Sequence, residues 1–150
     1  MSTNNKKSIW SAVILFTALV SLVLLVITAI LTIAVVVAAK EALVAGGVDP
    51  SDAAAGALVA SIVVFIIFIL ISFFDILKII GGFLFALKGK WSIFCIVVAL
   101  LALASNVASL VYYINEAAEA GNIVIASLDL AASAILAFAC LMHRRENKRA

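Results

Sequence analysis

The chain has 150 residues, 67% of them hydrophobic and only 12% charged, with a formal net charge of +2 and a mean hydropathy of +1.35. A soluble domain runs near 45–50% apolar and about 25% charged, so this composition weighs against a soluble enzyme, a nucleic-acid binder and a disordered tail alike. Two cysteines, Cys95 and Cys140, cannot make a disulfide framework, and His143 is the sole histidine, which argues against a His-based metal site or a Ser-His triad.

The N-terminal Met-Ser-Thr-Asn-Asn-Lys-Lys has the charge of a signal-peptide n-region. The apolar stretch behind it, 9–39, runs 31 residues without a charge, against roughly 7–15 for a signal sequence. It is therefore expected to be an uncleaved transmembrane helix. Gly46-Gly47 can stop it. Asp49-Pro50-Ser51-Asp52 then reads as a helix cap, a proline at the first helical position and an acid behind them.

A second apolar block, 53–87, is interrupted only by Asp75 and Lys78, and two more follow at 91–114 and 123–142 before a short tail, 143–150. A helix of about 20 apolar residues crosses the roughly 30 Å hydrocarbon layer. The blocks are continuously apolar, unlike the alternation of a membrane barrel, and helices satisfy their own backbone groups in lipid. The expected fold is all-α: one integral-membrane domain, an antiparallel four-helix bundle whose two long N-terminal helices extend toward the outer side.

Lys6, Lys7, Lys88, Lys90, Arg144, Arg145, Lys148 and Arg149 all fall on one side of four spans, with Lys40 alone opposite. Glu41, Asp49, Asp52, Glu116 and Glu119 dominate the other face. The positive-inside rule puts both termini in the cytoplasm, and Trp10 and Trp91 beside lysines mark that interface. The location expected is the plasma membrane. At 1.5 Å per residue the first block is roughly 46 Å long, so the helices either tilt or extend beyond the bilayer. The surplus, about 35–44 with 53–62 returning, would then offer apolar surface to a partner.

Small and polar residues are expected to join the helices, because lipid gives apolar faces no reason to associate. Thr17, Ser21, Thr28 and Thr32 form one stripe on the first helix. Cys95, Ala99, Ala102, Asn106 and Ser109 share a face of the third; Ala126, Asp129, Ser133, Ala137 and Cys140 share a face of the fourth. Set antiparallel with Ser109 level with Ala126, the stripes match rung by rung, placing Asn106 beside Asp129, Ala102 beside Ser133 and Cys95 beside Cys140. A hairpin turning near Val48 likewise sets Ser21 level with Asp75 and Thr17 level with Lys78.

Two readings stand for each intramembrane charge. Asp129 is either a proton or cation site or one half of a neutral Asp–Asn clasp with Asn106. Asp75 and Lys78, three apart on one face, are either a buried ion pair or interfacial charges, depending on whether the second helix runs past Phe74. The sharper possibility is one polar pocket of Asp75, Lys78, Asn106 and Asp129. Cys95 and Cys140 read as packing thiols, with a regulatory disulfide or palmitoylation as the alternative. No Gly-x-Ser-x-Gly, P-loop or Gly-x-Gly-x-x-Gly motif occurs.

The run Ile-Gly-Gly-Phe-Leu-Phe-Ala-Leu-Lys-Gly-Lys-Trp at 80–91, leading into a span and closing on a basic tail, resembles small four-helix membrane proteins of Gram-positive bacteria whose function is uncharacterised. That resemblance implies a fold and carries no site. The membrane-embedded Glu in the first span of small multidrug transporters has no counterpart here, nor does the outer-loop Trp/Cys signature of claudin-type proteins. The functional expectation is a non-enzymatic tetraspan protein, without cofactor or metal, acting as a structural, accessory or partner-binding subunit. Its partners would be the lipid bilayer and either another membrane protein or further copies of itself. The alternative is a small oligomeric transporter or channel using Asp75 and Asp129.

Overall fold

A computed structural model describes residues 8–116 and 119–149. Lys6 and Lys7, which contribute to the positive-inside count, lie outside the described residues, as do Ala117 and Ala118 of the expected second outer loop and Ala150 of the tail. The described chain forms four α-helices: α1 (Ile9–Ala45), α2 (Pro50–Lys88), α3 (Ser92–Asn115) and α4 (Ala120–Arg149). Each is long and apolar enough to cross a membrane. The fold is all-α, as the continuous apolar blocks require.

The connections use the expected turn chemistry. At the end of α1, Gly47 has φ of 90° and its N–H donates to Val44 O, while the Val48 N–H reaches back to Leu43 O at 3.1 Å. This double closure satisfies the last carbonyls of α1, and the left-handed position suits a residue without Cβ. Asp49 then caps α2. Its Oδ1 accepts the Ser51 N–H at 2.9 Å and the Ser51 hydroxyl at 2.6 Å, with Pro50 at the first helical position, where no N–H is needed. These two bonds, the Ser51 hydroxyl first and the Ser51 amide second, hold the Asp49 carboxyl below its ordinary value of 3.8. Gly89 and Trp91, both at positive φ, make the turn between α2 and α3.

The chain divides into two compact units. The first comprises the chain up to Leu24 and from Phe74 onward, and so holds parts of α1 and α2 with all of α3 and α4. Neighbouring helices in it run antiparallel. Between α1 and α2, Ser11 donates to Ala86 O at 2.9 Å and a Cβ on Gly82 would lie 3.1 Å from that of Ala18. A Cβ on Gly81 would meet the Phe94 ring and the Cys95 backbone of α3. The two glycines thus let α2 approach a different neighbour on each side. Ile14, Phe85, Cys95, Ile96, Ala99, Leu136, Ala137, Ala139 and Cys140 form the core. Trp10 packs edge-on against Phe138 at 5.7 Å, and Ser8 hydrogen-bonds Glu146. α4 continues as helix through His143, whose buried ring lies 4.8 Å from that of Phe85.

The second unit, 25–73, is made of the remaining parts of α1 and α2. Its helices expose many large apolar side chains: Ile30, Ile33, Val35, Leu58, Val59, Ile62 and Phe65 are all more than half exposed. A helix of this kind is at home in lipid or against another protein. Between its two helices runs an open apolar groove of about 530 Å³, with Thr32, Val36, Ile62 and Phe65 among its walls.

Candidate functional site: a buried charge cluster

Lys78 is the organising residue. Helix α2 continues unbroken past Phe74 to Lys88, so Asp75 and Lys78 lie inside a long apolar helix and not at its end. Three residues apart, they share a face, and the Lys78 ammonium donates to Asp75 Oδ1 at 2.8 Å. From α4 the same ammonium finds Asp129 Oδ1 at 2.7 Å and Ser133 Oγ at 2.9 Å. All three N–H bonds of the ammonium are therefore used, and the side chain has no exposed surface. An isolated ammonium would be prohibitively expensive here; one bonded to two carboxylates and a hydroxyl is not.

Asn106 brings α3 into the cluster. Its side-chain amide donates to Ser133 Oγ at 3.0 Å and makes a longer contact of 3.5 Å to Asp75 Oδ1. The Ser133 oxygen thus accepts one bond from Lys78 and one from Asn106, which fills both of its lone pairs. Because both bind the one ammonium, the Oδ1 atoms of Asp75 and Asp129 lie no more than 5.5 Å apart. Their side chains keep 16% and 20% of their surface exposed, so the cluster is closed around Lys78 and slightly open beside the acids.

The four residues expected to form one pocket, Asp75, Lys78, Asn106 and Asp129, are thus brought together. The pairwise Asn106–Asp129 clasp is not what forms. Asp129 bonds Lys78, and Asn106 bonds Ser133 and Asp75. The physical reason is charge: a carboxylate gains more from an ammonium than from an amide, and the long lysine side chain can cross the bundle to supply one. Ser133, expected only to pack helices, is a full member of the cluster. Its signal in the sequence was its position one turn after Asp129.

The helix-packing residues divide. Thr17, Ser21 and Ala102 are buried in the first unit, with Thr17 bonding back to Val13 O at 2.8 Å. Ser109 is half-buried. Thr28 and Thr32 fall in the second unit, half-buried, with the Thr32 hydroxyl donating to Thr28 O. The Ser11–Ala86 bond and the Ala18–Gly82 contact place Ser21 level with the turn of α2 that carries Asp75 and Lys78. Cys95 and Cys140 are buried free thiols in the same core cluster, on α3 and α4. Comparison with protein families, with characterised proteins and with solved structures gives no match.

Proposed function

We propose that the protein is a non-enzymatic, multi-pass component of the plasma membrane, with both termini cytoplasmic, that serves as an accessory or partner-binding subunit of a membrane complex. The observation that carries this reading is how the cluster's polar groups are spent. Lys78 uses every donor on Asp75, Asp129 and Ser133, and Asn106 uses its amide on Ser133 and Asp75. Groups bound to one another in this way join α2, α3 and α4; they are not arrayed around a substrate. Support also comes from the second unit, most of whose large apolar side chains are exposed. Their surface suits another membrane protein or a further copy of this chain.

Photo-crosslinking tests this. A benzophenone amino acid at Ile33, Val59 or Ile62, activated in the native membrane, is expected to give a discrete protein adduct. Adducts to lipid alone at all three positions would count against the reading. The transporter or channel alternative draws on one observation, that two carboxylates face a single ammonium. Asp129→Asn tests it: unchanged proton or cation flux in liposomes, with the fold intact, removes that alternative.

A further inference from the structure

The charge count of the cluster does not close. Asp75, Lys78, Asn106, Asp129 and Ser133 carry two carboxyl groups and one ammonium, which leaves one negative charge in excess if both acids are ionised. Among the described residues no other side chain bonded to the cluster supplies the balance. On α1 there is no ionisable residue between Ile9 and Ala39. On α3 the cluster receives only the neutral Asn106; Cys95 lies towards the other end of the helix, and Tyr112 and Tyr113 lie beyond Asn106. On α2 the next charge after Lys78 is Lys88, ten residues on, and on α4 His143 is fourteen residues from Asp129. Both carboxyls bind the same ammonium through Oδ1, at 2.8 and 2.7 Å, so the two oxygens lie no more than 5.5 Å apart. Two carboxylates that close repel, and a proton on the pair relieves the repulsion.

We propose that the Asp75–Asp129 pair is a proton-binding site that holds one proton between its two acids at neutral pH, beside the Lys78 ammonium that both of them bind. The proton comes from water, and with it the cluster is electrically neutral, the state that hydrocarbon favours. A second feature fits. Ser21, on the buried face of α1 and near the level of Lys78, has an Oγ with no hydrogen-bond partner, so α1 offers a hydroxyl at that depth. The ligand assigned is the proton and not a metal cation, because the ammonium already occupies the place between the carboxyls. The inference holds under either reading of the protein's function.

Infrared spectroscopy of the full chain in lipid nanodiscs at pH 7 tests it. The wild type is expected to show the C=O stretch of one protonated carboxyl per chain, shifting in D₂O. Asp75→Asn and Asp129→Asn each leave one carboxylate with one ammonium, a neutral pair that needs no proton, so the band should vanish in both. Lys78→Met should double it. Absence of the band in the wild type overturns the proposal whatever the variants do. So does a band that survives in either Asp→Asn variant, since the proton would then belong to one acid alone. Asn is isosteric with Asp, and a helical circular-dichroism spectrum equal to wild type shows that the variants have folded.

Discussion

Replacing Lys78 with methionine keeps the length of the side chain and deletes its charge. Three bonds of 2.7–2.9 Å to Asp129, Asp75 and Ser133 are lost. Interhelical hydrogen bonds in membrane proteins average about 0.6 kcal/mol; with the two bonds to α4 and the one within α2 taken at that value, the bonds alone account for about 2 kcal/mol at any pH. The charge is a separate matter. Without the ammonium the pair of acids must take up one proton more than in the wild type. From an ordinary carboxylate range near 3.9 this costs about 4 kcal/mol at pH 7 and about 1.5 kcal/mol at pH 5. Lys78→Met is therefore expected to destabilise the fold by about 4–6 kcal/mol at pH 7, in line with the usual cost of orphaning a buried ion-pair partner. Acid should rescue about 2–3 kcal/mol of this loss. The assay is reversible unfolding in mixed micelles by titration with dodecyl sulfate, wild type against variant at both pH values. A loss equal at pH 7 and pH 5 would show that Lys78 acts only as a hydrogen-bond donor, and the electrostatic argument would fail. The triple variant Asp75→Asn, Lys78→Met, Asp129→Asn removes every charge at once and should recover most of the stability, because replacing a buried ion pair costs far less than breaking one.

Glycines separate in the same assay. A Cβ at Gly82 would stand 3.1 Å from that of Ala18, so Gly82→Val should cost about 1–3 kcal/mol through overpacking. Gly56 has open space around it, so Gly56→Ala should stabilise by about 0.5–1 kcal/mol. At the exposed turn, carbon-detected NMR should find the Asp49 carboxyl titrating below 3.8, and Ser51→Ala should move the midpoint back up. The sign follows from the lowered value. The stabilisation this cap supplies is complete above the ordinary carboxylate range and is lost as pH falls through the lower folded midpoint. Cys95 and Cys140 should resist a membrane-permeant maleimide in the native protein and react fully after denaturation; labelling of the native form would contradict their burial.

Most of the fold can be read from the sequence, because spans are written in long runs. The four apolar blocks anticipate the four helices, and Gly46-Gly47 and Asp49-Pro50 mark the first turn, since each does a job few other residues can do. α4 is the exception: it runs as helix well past the apolar block, through His143–Arg149, and nothing in composition limits a helix at the membrane surface. The membership of the charge cluster was also legible, since Asp75, Lys78, Asn106 and Asp129 stand out against apolar neighbours. Its wiring was not. Matching residues by height treats each side chain as ending at its own level, which holds for Cys95 and Cys140 but fails for a lysine whose ammonium reaches from α2 to α4. Ser133 was hidden for a related reason. A serine among small residues looks like packing until a donor arrives from another helix. His143 was hidden among the basic residues of the tail, although it lies three residues after the buried Cys140 and so on the same face.

A bundle in lipid has a specificity problem that a soluble bundle does not. Apolar faces gain little by meeting each other rather than acyl chains, so neighbouring registers of such helices differ little in energy. Two features of the first unit break that near-degeneracy. Gly82 admits Ala18 at one height only, which fixes α1 on α2. Lys78 fixes α2 on α4. Slipping α4 by one turn moves its side chains by about 5.4 Å, which breaks the matched pair of bonds from Lys78 to Asp129 and Ser133 and leaves the buried ammonium short of partners. Asn106, bonded to both Ser133 and Asp75, ties α3 to the same register. The buried charges thus contribute more to the choice among arrangements than to the depth of any one. This is why a lysine, costly in hydrocarbon by itself, can sit at the centre of so small a membrane protein.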